Sequence, residues 1–303
     1  MGLIPSQESG ESEALIDRLG RELEGHLDLD KILAIAQSAE APQPWGLPAE
    51  ASAQAGERGS RLRSRASAAK GVRGKDNPKI GIIRDIAFDL YYPENFEALR
   101  EAGADLMFID ALRDRLPQVD GLYIGGGFPE FFLKELEGNK GLRQDIAEAI
   151  ENDLPVYAEC AGLMYLCQKI HWQGQSYEMV GVIPAEVQMM ERPQGHGYVV
   201  AEVTGENPFF SVGSVLRGHE FHHSKLSLSG AVEFAYHLRR GHGIHIRKDG
   251  IVYKNLFASY THLHALGTPE WAVALVSLAA KRKEANVRSA DRMRENFHSL
   301  NGN

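Results

Sequence analysis

Residues 156–166 read VYAECAGLMYL, and the architecture of the chain can be built outward from them. The apolar run ending at Ala158 has the length and composition of a buried strand, Glu159 and Cys160 make a tight turn, and a helix begins at Ala161. So abrupt a passage from strand to helix lifts the cysteine sulfur above the sheet. There the partial positive charge of the helix start favours the thiolate. Cys160 is therefore a candidate nucleophile. The competing reading is a small buried hydrophobe, the usual fate of an isolated cysteine. Cys167, expected two turns further along the same helix, is assigned to the core.

Upstream of this turn the pattern alternates. Lys79 to Ile83 reads as a strand, Pro93 opens a helix that closes at Gly103, and Asp105 to Ile109 and Gly121 to Ile124 are further strands. Gly141 to Asn152 is helical, and Leu154 to Ala158 returns to strand. Strands separated by helices imply βαβ units and a parallel sheet, with ligands at the carboxyl ends of the strands, where Cys160 lies. Beyond Val180 the pattern loosens into short strands rich in His and Gly. A last helix spans about Pro269 to Lys283, followed by a polar, frayed tail from Ser289.

Before the first strand, Leu15, Leu19 and Leu23 recur at helical spacing and Asp30 is a candidate cap, but two short helices are too little for a domain. From Ala39 the composition shifts to Ala, Gly, Ser, Pro and Arg without apolar periodicity, which reads as a linker. The expected division is 1–38 helical, 39–77 linker, 78–285 the α/β domain and 286–303 tail.

Composition narrows the function. The 303 residues are 43% hydrophobic with a formal net charge of -8, so there is material for a sizeable core and no basis for broad nucleic-acid binding. Two cysteines without a CxxC pair give neither a disulfide scaffold nor a thiolate zinc site, and no metal is expected. With no apolar run of about eighteen residues, a membrane span is not expected and a cytoplasmic protein is.

Three further motifs carry chemistry. GGGFPE, Gly125 to Glu130, follows a strand with three glycines, so backbone amides can approach a ligand and converge on a developing oxyanion. ASYTHLH, Ala258 to His264, read as a strand, puts His262 and His264 on one face, where either could accept the cysteine proton. RGHEFHHS, Arg217 to Ser224, alternates His219 and His223 against Glu220 and His222, so the four cannot converge on a metal, and recognition of an anion by Arg217 and the histidines is the better reading. A phosphate loop is missing: GVRGK, Gly71 to Lys75, has Ala69 where the first glycine belongs and Asp76 in place of Ser or Thr.

In order, AFDLYYPENFEALREAGADL, DGLYIGGGFPE, YAECAGLMYL, GHEFHHS and ASYTHLH resemble the C-terminal glutamine amidotransferase domain of the cobyrinic acid a,c-diamide synthase family, which includes synthases for hydrogenobyrinate and sirohydrochlorins. The resemblance implies an α/β, flavodoxin-like class I glutamine amidotransferase fold with a mostly parallel sheet, preceded by short helices and a flexible linker. It implies Cys160 as nucleophile and Gly126 and Gly127, with Gly125 and Ala161, around the oxyanion and the glutamine. It also implies His262 as the activating histidine, with His264 where class I enzymes carry an orienting carboxylate. Arg217, His219, His222 and Tyr91 become the candidates for substrate binding. Ala161, Leu90 and His223 depart from the family's glycine, aromatic residue and tyrosine.

GLIPS and the leucine-rich helices look like the exit of the family's ATPase domain. On this resemblance the chain binds no cofactor itself, ATP and Mg belong to that absent domain, and the chain is the ammonia-supplying half of a tetrapyrrole a,c-diamide synthase in cobalamin or sirohydrochlorin amidation. Its expected partners are glutamine, a tetrapyrrole of cobyrinate or sirohydrochlorin type and the ATPase domain, with a homodimer left open. Two alternatives stand beside this: an autonomous cysteine hydrolase, or a silent module that binds a tetrapyrrole or a partner protein. The first expected outcome is that limiting alkylation by a glutamine-like electrophile labels Cys160 before Cys167, read by mass spectrometry; the opposite order would overturn the assignment.

Overall fold

The computed structural model describes residues 77–300 continuously, with side chains through 289, and a few isolated positions before residue 35. The expectations for 1–38 and for the linker lie outside that continuous stretch. The elements are β1 (Lys79–Ile83), α1 (Pro93–Glu101), β2 (Asp105–Ile109), β3 (Gly121–Ile124), a 3-10 turn at Pro129–Phe131, α2 (Leu133–Gly138), α3 (Lys140–Glu151), β4 (Val156–Glu159) and α4 (Ala161–Leu166). They are followed by β5 (Cys167–Trp172), β6 (Gln175–Glu178), β7 (Ile183–Met189), β8 (Gly195–Val203), β9 (Val215–His222), β10 (Ser224–Leu228), β11 (Glu233–Arg240), β12 (Lys248–Tyr253), β13 (Leu256–Ser259) and α5 (Glu270–Leu300).

A nine-stranded sheet runs β2-β1-β3-β4-β13-β12-β11-β8-β9. Its first five strands are parallel, the other four join antiparallel, and β13 is the seam. Alternation along the strands feeds two cores. On one face Ile83, Ile124 and Ala158 pack with Leu142, Ile146 and Ile150, which recur every fourth residue of α3. On the other, Ile80, Ile82, Tyr123 and Tyr157 meet Phe96 and Leu99 of α1 and Trp271 and Leu275 of α5. There the Tyr157 ring lies nearly parallel to Phe257 at 5.7 Å and to Trp271 at 5.0 Å, so aromatic packing pins β4 against β13. Among the described residues no helix is long and apolar enough to cross a membrane.

Two local expectations are corrected. The last helix does not stop near Lys283 but runs to Leu300, because Ser289 to Leu300 contain neither Gly nor Pro and are rich in helix-favouring Arg, Glu and Met. Cys167 is fully buried as assigned, yet it opens β5 rather than continuing the helix, and β5 joins a second sheet of order β10-β7-β5-β6. Burial pushes its thiol pKa up.

One buried carboxylate shapes the approach to the strand ends. Asp249 accepts the amides of Gly250 at 2.9 Å, Tyr260 at 3.0 Å and Thr261 at 3.0 Å, and the Thr261 hydroxyl at 2.7 Å. Asp249→Ala leaves four buried donors unmatched at about 1–3 kcal/mol each, so a loss of at least about 4 kcal/mol and a fall in Tm of about 8–16 °C or more are expected. An unchanged melting curve would show that these bonds do not order the segment leading to His262.

Candidate active site

Cys160 occupies the turn between β4 and α4 with φ +50 and ψ -99, a left-handed conformation that a side-chain-bearing residue adopts only when its surroundings impose it. They do: its amide donates to the Ser259 carbonyl at 2.8 Å, its carbonyl accepts the Met164 amide at 3.0 Å, and Gly162 donates to the Gly125 carbonyl at 3.0 Å. The side chain is almost buried, and Sγ points to the Phe221 carbonyl of β9 at 3.8 Å. Ala161 is wholly buried, so the methyl that replaces the family's glycine is accommodated.

The glycine loop lies against the histidine. A Cβ at Gly126 would stand 2.7 Å from His262 Cε1, and one at Gly127 would stand 2.0 Å from the Ala87 carbonyl oxygen, so both positions exclude side chains by contact. The expected role of Gly125 is corrected. Its amide donates to the Tyr91 hydroxyl at 2.8 Å, and that hydroxyl donates in turn to the Ile83 carbonyl. Gly125 therefore bolts the loop down and has no N–H to offer an oxyanion, while Gly126, Gly127 and Ala161 remain the candidates. Tyr91 is corrected with it, from substrate contact to support, and burial pushes its phenol pKa up.

His262 follows β13 and pairs only locally, exchanging backbone hydrogen bonds with His219 of β9 at 2.8 and 3.2 Å. Its imidazole meets the Cys160 side chain, and Nδ1 lies 3.7 Å from Oε2 of Glu159. Burial opposes a charge here, but hydrogen bonding and attraction to Cys160 and Glu159 prevail and raise the pKa to about 10. The His219 ring stacks on it at 4.9 Å and 16°. Burial and then the neighbouring His262 charge lower the His219 pKa to about 4.

The structure does not gather the remaining candidates as alternation suggested. The strand ends at Ser259, so His264 does not share a strand face with His262; its ring packs on Tyr92 at 4.4 Å and its Nε2 lies 3.5 Å from Glu94. On β9 the alternation holds, leaving Arg217 exposed and His219 half-buried on the outer face. His222 is turned inward, stacked on Tyr260 at 3.6 Å, with Nδ1 3.0 Å from the Ser224 carbonyl. It is therefore corrected to an interior residue, because its strand neighbour Glu220 points the same way and anchors the His242 and Gly243 amides at 2.7 and 3.0 Å.

Glu159 was missed. The available signal was a carboxylate as the last residue of an otherwise apolar buried strand, which is costly unless a partner compensates it.

The chain matches the family described as the CobB/CobQ-like glutamine amidotransferase domain over residues 79–270. A cobyrinate a,c-diamide synthase of Magnetococcus marinus is 42% identical over 284 residues, which cover 93% of this chain and 58% of that relative. One of Archaeoglobus fulgidus is 38% identical over 284 residues, covering 93% and 57%. The chain thus spans somewhat more than half the length of these relatives. Among solved structures, a GMP synthase subunit of Thermoplasma acidophilum superposes with TM-score 0.52 at 18% identity, covering 70% of this chain and 99% of that one. PurLQS of Thermotoga maritima gives 0.50 at 13%, covering 70% and 100%. These two show the fold.

The glycine contacts separate two expected outcomes. Gly126→Ala displaces the His262 ring and slows Cys160 alkylation with little change in Tm, whereas Gly127→Ala strikes backbone and lowers Tm as well. Equal behaviour of the two variants would contradict the loop placement.

Proposed function

Because the chain belongs to the CobB/CobQ-like glutamine amidotransferase family, we propose that it hydrolyses glutamine and supplies the ammonia to an ATP-dependent tetrapyrrole a,c-diamide synthase. The observation that carries this reading is the buried Cys160–His262 pair at the carboxyl end of the parallel strands.

The chemistry follows from the geometry. Cys160 attacks the side-chain carbonyl of glutamine, and the electron pair moves to oxygen, for which the amides of Gly126, Gly127 and Ala161 are the candidate donors. When the tetrahedral adduct collapses, the C–N bond breaks and His262 gives its proton to the leaving nitrogen, so ammonia departs and a glutamyl thioester remains. His262, now neutral, takes a proton from water as it attacks the thioester, which returns Cys160 and releases glutamate.

Activation of the acceptor carboxylates by ATP and Mg belongs, on this reading, to the part of the relatives that lies beyond the matched length. The lack of a phosphate-loop pattern at Gly71 to Lys75 supports that division. The acceptor class, of cobyrinate or sirohydrochlorin type, follows the names of the relatives. Two unpaired thiols suit a cytoplasmic setting.

The test is ammonia release from glutamine by the chain without ATP. Cys160→Ser abolishes it, His262→Ala reduces it by about 10² to 10⁴-fold, and His264→Ala leaves a readily measured rate. No release under any condition, or a larger loss at His264 than at His262, would overturn the reading. Robust hydrolysis of amides other than glutamine would favour the autonomous hydrolase.

A further inference from the structure

We propose that Glu159, the residue directly before the nucleophile, is the positioning carboxylate of His262, so that the working set is Cys160, His262 and Glu159 and position 264 takes no part. The proposal rests on the glutamine-hydrolysing reading of the site and adds to it the group that orients the base.

Three contacts place the carboxylate. Oε2 lies 3.7 Å from His262 Nδ1, Oε1 accepts the amide of Leu263 at 2.9 Å, and the Tyr123 hydroxyl donates to Oε2 at 2.9 Å. Glu159 thus holds both the ring of the base and the backbone immediately after it. Asn95 braces the arrangement from α1: its Nδ2 donates to Tyr123 at 3.3 Å and to the Leu263 carbonyl at 3.1 Å, and its Oδ1 accepts the Ala265 amide at 2.8 Å. All of these groups are wholly or almost wholly buried, His262 being the most exposed at 7%.

The chemistry then follows from the two ring nitrogens. With Nδ1–H directed at Glu159, Nε2 is the nitrogen left for the sulfur, and the anion stabilises the imidazolium that forms when the thiol gives up its proton. His264 can supply neither the charge nor the position, since its ring is turned to Tyr92 and Glu94. The ionisable groups facing His262 are Glu159 from β4, Cys160 from the turn and His219 from β9. Tyr123 stands behind Glu159, Tyr92 lies beyond His219, and the glycine loop brings no ionisable group. Of these, Glu159 is the nearby carboxylate.

The experiment uses the full chain and two readouts, the pH profile of Cys160 alkylation by iodoacetamide and the kcat and KM of glutamine hydrolysis. Removing the anion destabilises the imidazolium, so the thiolate forms at higher pH. In Glu159→Gln the acid limb of alkylation should move up by about one pH unit or more, and kcat should fall by about 10²-fold with KM little changed. Glu159→Asp, which keeps the charge but draws it back by one carbon, should give an intermediate upward shift, and His264→Gln should leave the limb in place.

A wild-type profile and rate in Glu159→Gln, or an upward shift in His264→Gln, overturns the proposal. If Glu159→Gln does not fold, Glu159→Asp decides: an unmoved limb with wild-type kcat overturns it. Alkylation does not depend on glutamine, so a chain that releases no ammonia would refute the proposed function while leaving this test intact.

Discussion

A charged imidazole in a nearly dry place needs neighbours that favour its charge, and the architecture around residue 262 supplies two. The Cys160 side chain and the Glu159 carboxylate come from consecutive positions of one chain, yet they reach His262 from different directions because the backbone reverses between them at φ +50. Burial alone would drive such a ring to neutrality. Hydrogen bonding and attraction to the two neighbours outweigh that burial and raise its pKa to about 10. Because this raised value lies above that of a free histidine, the pair's contribution to stability is fully present below about pH 6.5 and is lost as pH climbs through the folded value.

The rest of the fold can be understood as holding that arrangement still. Parallel pairing sets Ser259 of β13 opposite Glu159 of β4, and the aromatic stack of Tyr157, Phe257 and Trp271 keeps those two strands in register. Asp249 gathers the amides just before His262, Asn95 and Glu159 secure those just after it, and the bridge to His219 clamps the residue between. On the opposite wall the Tyr91 hydroxyl fixes the first glycine of the loop, the second lies against His262 and the third against the backbone of Ala87. Side chains several residues away therefore set distances at the sulfur, where small displacements matter most.

How much of this was legible in the sequence depended on whether the signal was local. The strand-turn-helix at residues 156–166 and the flanking βαβ pattern announced themselves through apolar runs and breakers, and every strand of the parallel half except β13 was read near its true limits. The motifs also named two residues that the structure brings together, Cys160 and His262. Alternation served well on β9 but failed after Ser259, where the chain leaves the strand and His264 swings to Tyr92. The inward turn of His222, the capture of the Gly125 amide by Tyr91 and the pairing of Glu159 with His262 are contacts between distant segments. No spacing rule records them. A carboxylate ending a buried strand was the one visible trace of the last.

The order of the strands also governs when the site can exist during synthesis. The sulfur and the carboxylate belong to the first four parallel strands and the turn after them, made from residues before 167, but His262 arrives only after β13, the fifth, which takes its place between β4 and β12 once the antiparallel half has been made. A chain emerging amino end first carries Cys160 long before His262 is made. On the proposed function, the cysteine therefore lacks its histidine partner through most of the protein's manufacture and gains it only when the sheet is closed across its seam.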